Sequence, residues 1–407
     1  MIKRIVRKAG ELLQWQKNYW LALPANLFSK KRHTVIVLDD IYPLVMSPFR
    51  LVEFNYYLSV FPDSIVYTTG TALKYIGETK SLTAIMDLHM LQNPDYAGRV
   101  VEFNPSRKLK GSLAYVVFLH NTHRFLPIIE KNAIPFVFTL YPGGGFFMDS
   151  KIVNRQLKEI FNSKYFRKVI VTQKITFDYL VTNNLCPAEK IELVYGVVLP
   201  VEKLQLAAAN KLEFKKNKFT FDLCFVANKY MPLGIDKGYD TFIAIAKKMS
   251  DAHDDVKFHI VGSFDASDID VSGYDNIVFY GPQKTGFFPD FYAKMDIVVS
   301  PNVPSALENG AFDGFPTGGC IEAGLMGVAL FCSDSMGQNV YFEHKTDIVI
   351  IDNNADNIVE FVEYYYNNYS ELLTIAKKGQ AKIKELFSIE AQLYPRVKVL
   401  QEAMQVV

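Results

Sequence analysis

The sequence predicts an α/β protein built from two Rossmann-like domains, preceded by a basic amphipathic helical arm. Short runs rich in β-branched and aromatic residues, such as TVIVL at 34–38 and KVIVT at 168–172, alternate with amphipathic stretches along the chain. That alternation is the pattern of a parallel sheet covered on both faces by helices. At 407 residues the chain is too long for one ordinary core and suits two domains that each bury their own. The third observation is the run 302–334, NVPSALENGAFDGFPTGGCIEAGLMGVALFCSD, in which a Gly/Pro-rich loop and a helix over about 318–326 follow the strand-like run 296–300 and lead into a second at 328–332. Such a βαβ unit offers the free N–H groups and positive dipole end of its helix to an anion, and a phosphate fits there.

Composition narrows the function. The chain is 49% hydrophobic and 21% charged with a net charge of +1, which argues against a general nucleic-acid binder. Residues 1–33 nevertheless hold eight Lys or Arg against Glu11 alone. Within 2–20, Ile2, Ile5, Val6, Ala9, Leu12, Leu13 and Trp20 fall at helical spacing, and both tryptophans, Trp15 and Trp20, lie in this segment. A basic amphipathic helix with Trp is the signature of a segment lying on an anionic membrane surface, where each Lys or Arg contributes about 1 kcal/mol; a helix packed on its own domain has the same pattern. The four cysteines, Cys186, Cys224, Cys320 and Cys332, form no CxxC or Cys/His cluster and read as reduced, packed thiols of a cytoplasmic protein. No apolar run reaches the roughly 18 to 20 residues of a membrane span, and no secretory signal is expected. The expected location is cytoplasmic, with the inner membrane face as a possible docking surface.

The first domain is expected over 34–197, with strands at 34–38, 64–68, 115–119, 135–140, 168–172 and 191–194. Ligands of such sheets bind at the carboxyl ends of the strands. The loops to watch are therefore Asp39-Asp40-Ile41-Tyr42, His120-Asn121-Thr122-His123 and Tyr141-Pro142-Gly143-Gly144-Gly145. Three successive glycines let backbone approach a ligand closely, or simply make a turn.

The second domain is expected over 198–386. It opens with an interdomain connection at 199–219, then a strand at 221–227, the loop holding Lys229 and Lys237-Gly238, and a helix at 241–249. Strands at 256–262, 277–281, 296–300 and 347–351 follow, with helices at 287–294 and 357–386 and a final helix in 387–407. Asp268-Ile269-Asp270 spells a metal-binding Asp-x-Asp, but it lies in a polar interstrand loop and no metal site is assigned to it.

In the 302–334 run, Asp313 precedes the helix and Glu322 lies one turn into it. Two carboxylates thus flank the phosphate seat, suited to accept hydrogen bonds from the paired hydroxyls of a sugar and a ribose. A tight turn with a solvated Asp reads equally well from these residues alone.

Here the chain resembles the retaining GT-B glycosyltransferases of sequence family 4, which carry an acidic residue, a run such as Gly-Phe-Pro and a Glu-Ala pair opening a helix. Asp313-Gly314-Phe315-Pro316 and Glu322-Ala323 match that pattern. Lys237-Gly238 matches the family's Lys-Gly, and Gly196-Val197 its linker. There are departures: the first acid is Asp and lies nine residues before Glu322 where the family has eight, the glycine pair after strand one is missing, and Tyr141 stands where the family has a sugar-contacting His, a role for which His120 and His123 are substitutes. The loop carrying the earlier base, for which Lys229 is the candidate, is about three residues longer.

The resemblance implies two domains facing a cleft, with the final helix crossing back to the first, and transfer of a sugar from a nucleotide diphosphate sugar to an acceptor hydroxyl with retention. Such chemistry would serve cell-surface glycan or polysaccharide synthesis, on a glycan or lipid-linked acceptor. It implies a catalytic group of Asp313, Lys237 and Lys229. Donor binding would fall to Glu322, Gly314, Phe315, Pro316, Thr317, Gly318, Gly319 and Gly238, and the acceptor side would hold Gly143, Gly144, Gly145, Tyr141, His120 and His123. Neither metal nor cofactor is called for. Two other functions share the architecture: a nucleotide-sugar epimerase, which turns over donor without acceptor, and a non-catalytic assembly or membrane-docking protein, which binds without turnover.

Overall fold

The computed structural model describes residues 32–44, 48–76 and 78–405. Seven strands form a first sheet: β1 (His33–Asp39), β2 (Ile65–Thr68), β3 (Val100–Glu102), β4 (Gly111–Val117), β5 (Phe136–Leu140), β6 (Phe166–Val171) and β7 (Ile191–Leu193), in the order β3-β2-β1-β4-β5-β6-β7. Six form a second: β8 (Phe221–Val226), β9 (Val256–Val261), β10 (Ile277–Phe279), β11 (Ile297–Ser300), β12 (Ala329–Ser333) and β13 (Val349–Ile351), in the order β10-β9-β8-β11-β12-β13. Every strand pairing is parallel. The second order is the doubly wound arrangement, whose crevice opens where the chain reverses direction across the sheet. That point lies between β8 and β11 in the second sheet, and between β1 and β4 in the first.

The strands are apolar throughout because both faces are covered. In β1, Ile36 and Leu38 pack into one core cluster while Val35 and Val37 pack into another on the opposite face. The final helix Ile389–Gln405 packs on the first sheet. Its Leu393, Val399, Leu400 and Ala403 are buried with Val35, Val37, Tyr115 and Val137. Gln392 Nε2 ties it to the linker through Tyr195 O at 2.7 Å.

The two-domain α/β expectation holds, with local corrections. The strand expected at 115–119 is β4, which ends at Val117. Phe118 turns the chain at φ 72° and Leu119 already begins the helix Leu119–Lys131, so His120 to His123 are helical rather than a loop. The three-residue edge strand β3 was too short to show a period. The connection at 199–219 contains the helix Val201–Ala207, whose Val201 and Leu204 are buried against the second domain; two turns give too few residues for periodicity to register. The helices expected over 357–386 are Ala355–Asn367 and Tyr369–Leu386. Residues 1–31 of the basic arm lie outside the described residues, and among those described no helix is long and apolar enough to cross a membrane.

Candidate active site

The second sheet's crossover brings together two loops far apart in sequence. After β8 the chain makes a tight turn with Leu233 and Gly234 in the left-handed region, at φ 59° and 58°, and Gly238 closes it at φ 69°. A Cβ on Gly238 would stand 2.1 Å from Pro301 O, so only glycine lets this turn press against the loop leaving β11. Lys237 is thereby 8% exposed and directed at that loop. Its Nζ lies 2.8 Å and 2.6 Å from the two oxygens of Asp313 and 3.6 Å from Asp236 Oδ2. Burial works against the ammonium, but the charge and hydrogen bonds of Asp313, with Asp236 and Tyr230 beside it, together outweigh burial and raise the Lys237 pKa.

Thr317 takes an extended conformation before the helix Gly318–Leu325, and its side chain does not cap the helix; its hydroxyl donates to Cys320 Sγ at 3.3 Å. The first-turn amides are thus left without an intrahelical acceptor, as at any helix start. Glu322 is 7% exposed, and burial pushes its pKa up to about 7.

The space between the domains divides into two compartments. One, of about 270 Å³, is walled by Val226, Val261, Gly262, Phe288, Gly318, Gly319 and Glu322. The other, of about 360 Å³, is walled by Gly143, Gly144 and Gly145 of the first domain and by Phe312, Gly314, Phe315 and Gln338 of the second. Tyr230, Lys237, Ser300, Asn302, Asp313 and Thr317 line both and form the junction. The domains touch beside it, where Met148 N donates to Gly310 O at 2.9 Å and the rings of Phe146 and Phe312 meet edge to face at 5.9 Å. The three-glycine loop has φ of 75°, 56° and 86°, and a Cβ on Gly144 would meet the Phe118 ring at 2.2 Å. Phe315 is buried, its carbonyl accepting from Tyr195 Oη at 2.6 Å, and Pro316 is buried beside it, away from the compartment walls.

Besides Pro316 and Gly238, four expected site residues are not on those walls. Lys229 is held by Asp268, at 2.8 Å and 2.7 Å, since the longer loop carries it past the crevice; Asp268 is spent on this pair. Tyr141 points into the first domain's core. Odd positions from Val137 onward face the final helix, and its hydroxyl lies 3.4 Å from both Glu53 Oε2 and Arg396 Nη2. His123 pairs with Glu159 at 2.7 Å on the neighbouring helix. His120 stands behind the glycine loop, with Nδ1 2.6 Å from Gly144 O and Nε2 3.2 Å from Asp40 Oδ2. Asp40 also accepts from Arg50 at 2.7 Å. Burial opposes the Asp40 charge, but the bonds from His120 and Arg50 prevail and hold its pKa well below the usual carboxylate range. Sequence reading passed over Asp236 and Gln338; adjacency to Lys237 was the signal for the first, while the second comes from a separate loop and gave none.

Residues 242–393 match a family described as glycosyl transferase-like. No curated protein matches the chain in sequence. Among solved structures, HepE from Anabaena in complex with UDP is 16% identical with a TM-score of 0.64, over 91% of this chain and 100% of that one. Sucrose-phosphate synthase from Thermosynechococcus elongatus is 13% identical with a TM-score of 0.62, over 92% and 100%. A glycosyltransferase from Rickettsia africae is 13% identical with a TM-score of 0.59, over 93% and 100%. The likeness across both domains shows the fold: the chain has the GT-B fold, two Rossmann-like domains facing a cleft.

Proposed function

We propose that this protein transfers a sugar from a nucleotide diphosphate sugar to an acceptor hydroxyl, with retention of the donor's anomeric configuration. The observation that carries the proposal is the junction: one buried ammonium, Lys237, bonded to Asp313 and opening on both compartments beside the Thr317 turn. The departing diphosphate needs preorganised positive groups aimed at its charge, and Lys237 with the first-turn amides supplies them. The nucleoside occupies the Glu322 compartment, where the carboxylate accepts from the ribose hydroxyls. The sugar and acceptor occupy the glycine-loop compartment, with Asp313 on the sugar hydroxyls. HepE, which shares this fold, is described with UDP and with UDP-glucose.

Retention is supported by where the acids stand. An inverting base works from the face opposite the leaving group, whereas Asp313 and Asp236 both approach the ammonium that would hold the phosphate. His120 lies off the walls of both compartments, its ring nitrogens facing Gly144 O and Asp40 Oδ2, so it is not placed beside an acceptor. In the proposed step the acceptor oxygen bonds to the anomeric carbon, the bond to the phosphate oxygen breaks, and that oxygen takes the acceptor proton. The acceptor is a glycan or lipid-linked hydroxyl; the basic residues of 1–20 support a membrane-proximal one. Equal flotation on anionic vesicles of the full chain and of residues 21–407 would remove that part.

A thermal-shift panel of UDP-, GDP- and dTDP-sugars, followed by donor hydrolysis with and without Lys237→Ala, tests the function. Stabilisation by one donor class, with turnover abolished in the variant, is expected. Binding without turnover would leave a non-catalytic protein of the same fold.

A further inference from the structure

Two buried side chains of the glycine-loop compartment carry acceptor oxygens that no donor among the described residues uses. Asp236 is 5% exposed and lines the glycine-loop compartment, yet neither carboxylate oxygen has a hydrogen-bond partner among the described residues. The Lys237 ammonium stands 3.6 Å away, a charge contact beyond hydrogen-bond length, and gives its short bonds to Asp313. Gln338, 7% exposed, lines the same compartment. Its Nε2 donates to Asp313 O at 3.1 Å, which fixes the amide and leaves Oε1 without a partner among the described residues. Buried polar atoms are otherwise nearly always satisfied, and an orphan calls for a reason. Burial raises the Asp236 pKa against the pull of Lys237, so the free protein holds this carboxylate against its own stability.

We propose that Asp236 and Gln338 read the hydroxyls of the transferred sugar and select donors whose sugar offers hydroxyl hydrogens there over their deoxy counterparts. Carboxylate and amide oxygens are acceptors that need donors, and a sugar is rich in them. A metal cation is disfavoured by the ammonium beside Asp236. The donor's sugar, rather than the acceptor, is the group in reach: it is bonded to the phosphate that Lys237 would hold, and Asp236 adjoins that same ammonium. This assignment rests on the proposed function.

The test is calorimetric titration of UDP-glucose and UDP, GDP-mannose and GDP, and dTDP-glucose and dTDP into full-length wild type, Asp236→Asn and Gln338→Met. The pair in which the wild type prefers the sugar form is the one compared. Asp236→Asn is expected to bind the nucleotide within about twofold of wild type but the nucleotide sugar about 10- to 100-fold more weakly. It should also melt no lower than wild type, since a buried charge that lacks hydrogen-bond donors is gone; Gln338→Met should repeat the pattern with a smaller loss. If nucleotide and nucleotide sugar weaken together, Asp236 acts only through Lys237 and the assignment is overturned. It is equally overturned if both variants keep the sugar preference, or if the wild type binds nucleotides but gains nothing from any sugar. A wild type that binds neither member of any pair would instead remove the proposed function, and this assignment with it.

Discussion

Lys237 Nζ lies 2.6 Å from Asp313 Oδ2, a contact between residues 76 positions apart. In the free protein this ion pair keeps the ammonium charged and directed at the junction, so the proposed diphosphate would meet a cation already in place. Lys229 makes an equally short pair, with Asp268, but off the walls of the cleft.

The two lysines should therefore separate in kinetics. Lys237→Ala is expected to lower kcat/KM for the nucleotide sugar by about 100- to 1,000-fold, the range seen when one preorganised donor to transition-state charge is removed. Lys229→Ala should cost less than about tenfold, because it loses an ion pair that stands apart from the reacting atoms. Steady-state rates of the two variants check this.

Glu322 predicts a pH dependence with a definite sign. Its pKa is about 7 in the folded protein against 4.5 for the ordinary group, so between those values the folded state holds a proton that the unfolded state has released. Stability then falls as pH rises from 4.5 to 7 and is level above. Glu322→Gln should remove that slope and melt higher than wild type at pH 8, by at most about 3 kcal/mol, while binding nucleotide more weakly through loss of the charged acceptor. Urea midpoints across pH, with nucleotide titrations at pH 8, measure both.

Glycines differ in what they protect. Gly238→Ala introduces a Cβ against Pro301 O on a left-handed backbone, and the backbone alone costs about 1–3 kcal/mol. It should lower the urea midpoint and reduce activity by shifting Lys237. Gly143 shares the positive φ, but a Cβ there meets nothing within 4 Å, so Gly143→Ala should show only the backbone cost.

The final helix is pinned by a buried charge. Arg396 and Glu53 are both fully buried, with Arg396 Nε 3.8 Å from Glu53 Oε1. Glu53 also accepts from Tyr57 at 2.8 Å and from Tyr115. Burial works against the guanidinium charge, yet Tyr141 and Glu53 around it keep its pKa raised. Glu53→Ala leaves that charge unpaired and should destabilise the protein by about 3–5 kcal/mol. Amide exchange in Ile389–Gln405 should rise with it.

The architecture was legible because it rests on local pattern. Strand runs such as Val35 to Leu38 are apolar at every position, since both faces of a parallel sheet are covered, and that composition is visible without coordinates. Lys237-Gly238 and the run from Asp313 to Glu322 were legible for a related reason: turn chemistry and a helix start leave short-range marks. Where a side chain points was not so marked. Tyr141 and the glycines after it sit side by side in sequence, yet strand alternation sends the tyrosine to the final helix and leaves Gly143 to Gly145 on the cleft.

By itself, then, the sequence determined two parallel-sheet domains and the short segments able to seat an anion, because hydrophobic period and backbone permissiveness are properties of neighbours along the chain. Which lysine reaches the cleft, which histidine does not, and that Asp236 and Gln338 share one wall were decided by tertiary structure alone. Those outcomes depend on how the loops after β8, β11 and β12 meet at one end of a sheet, and distances between such loops are set by packing rather than by spacing in sequence.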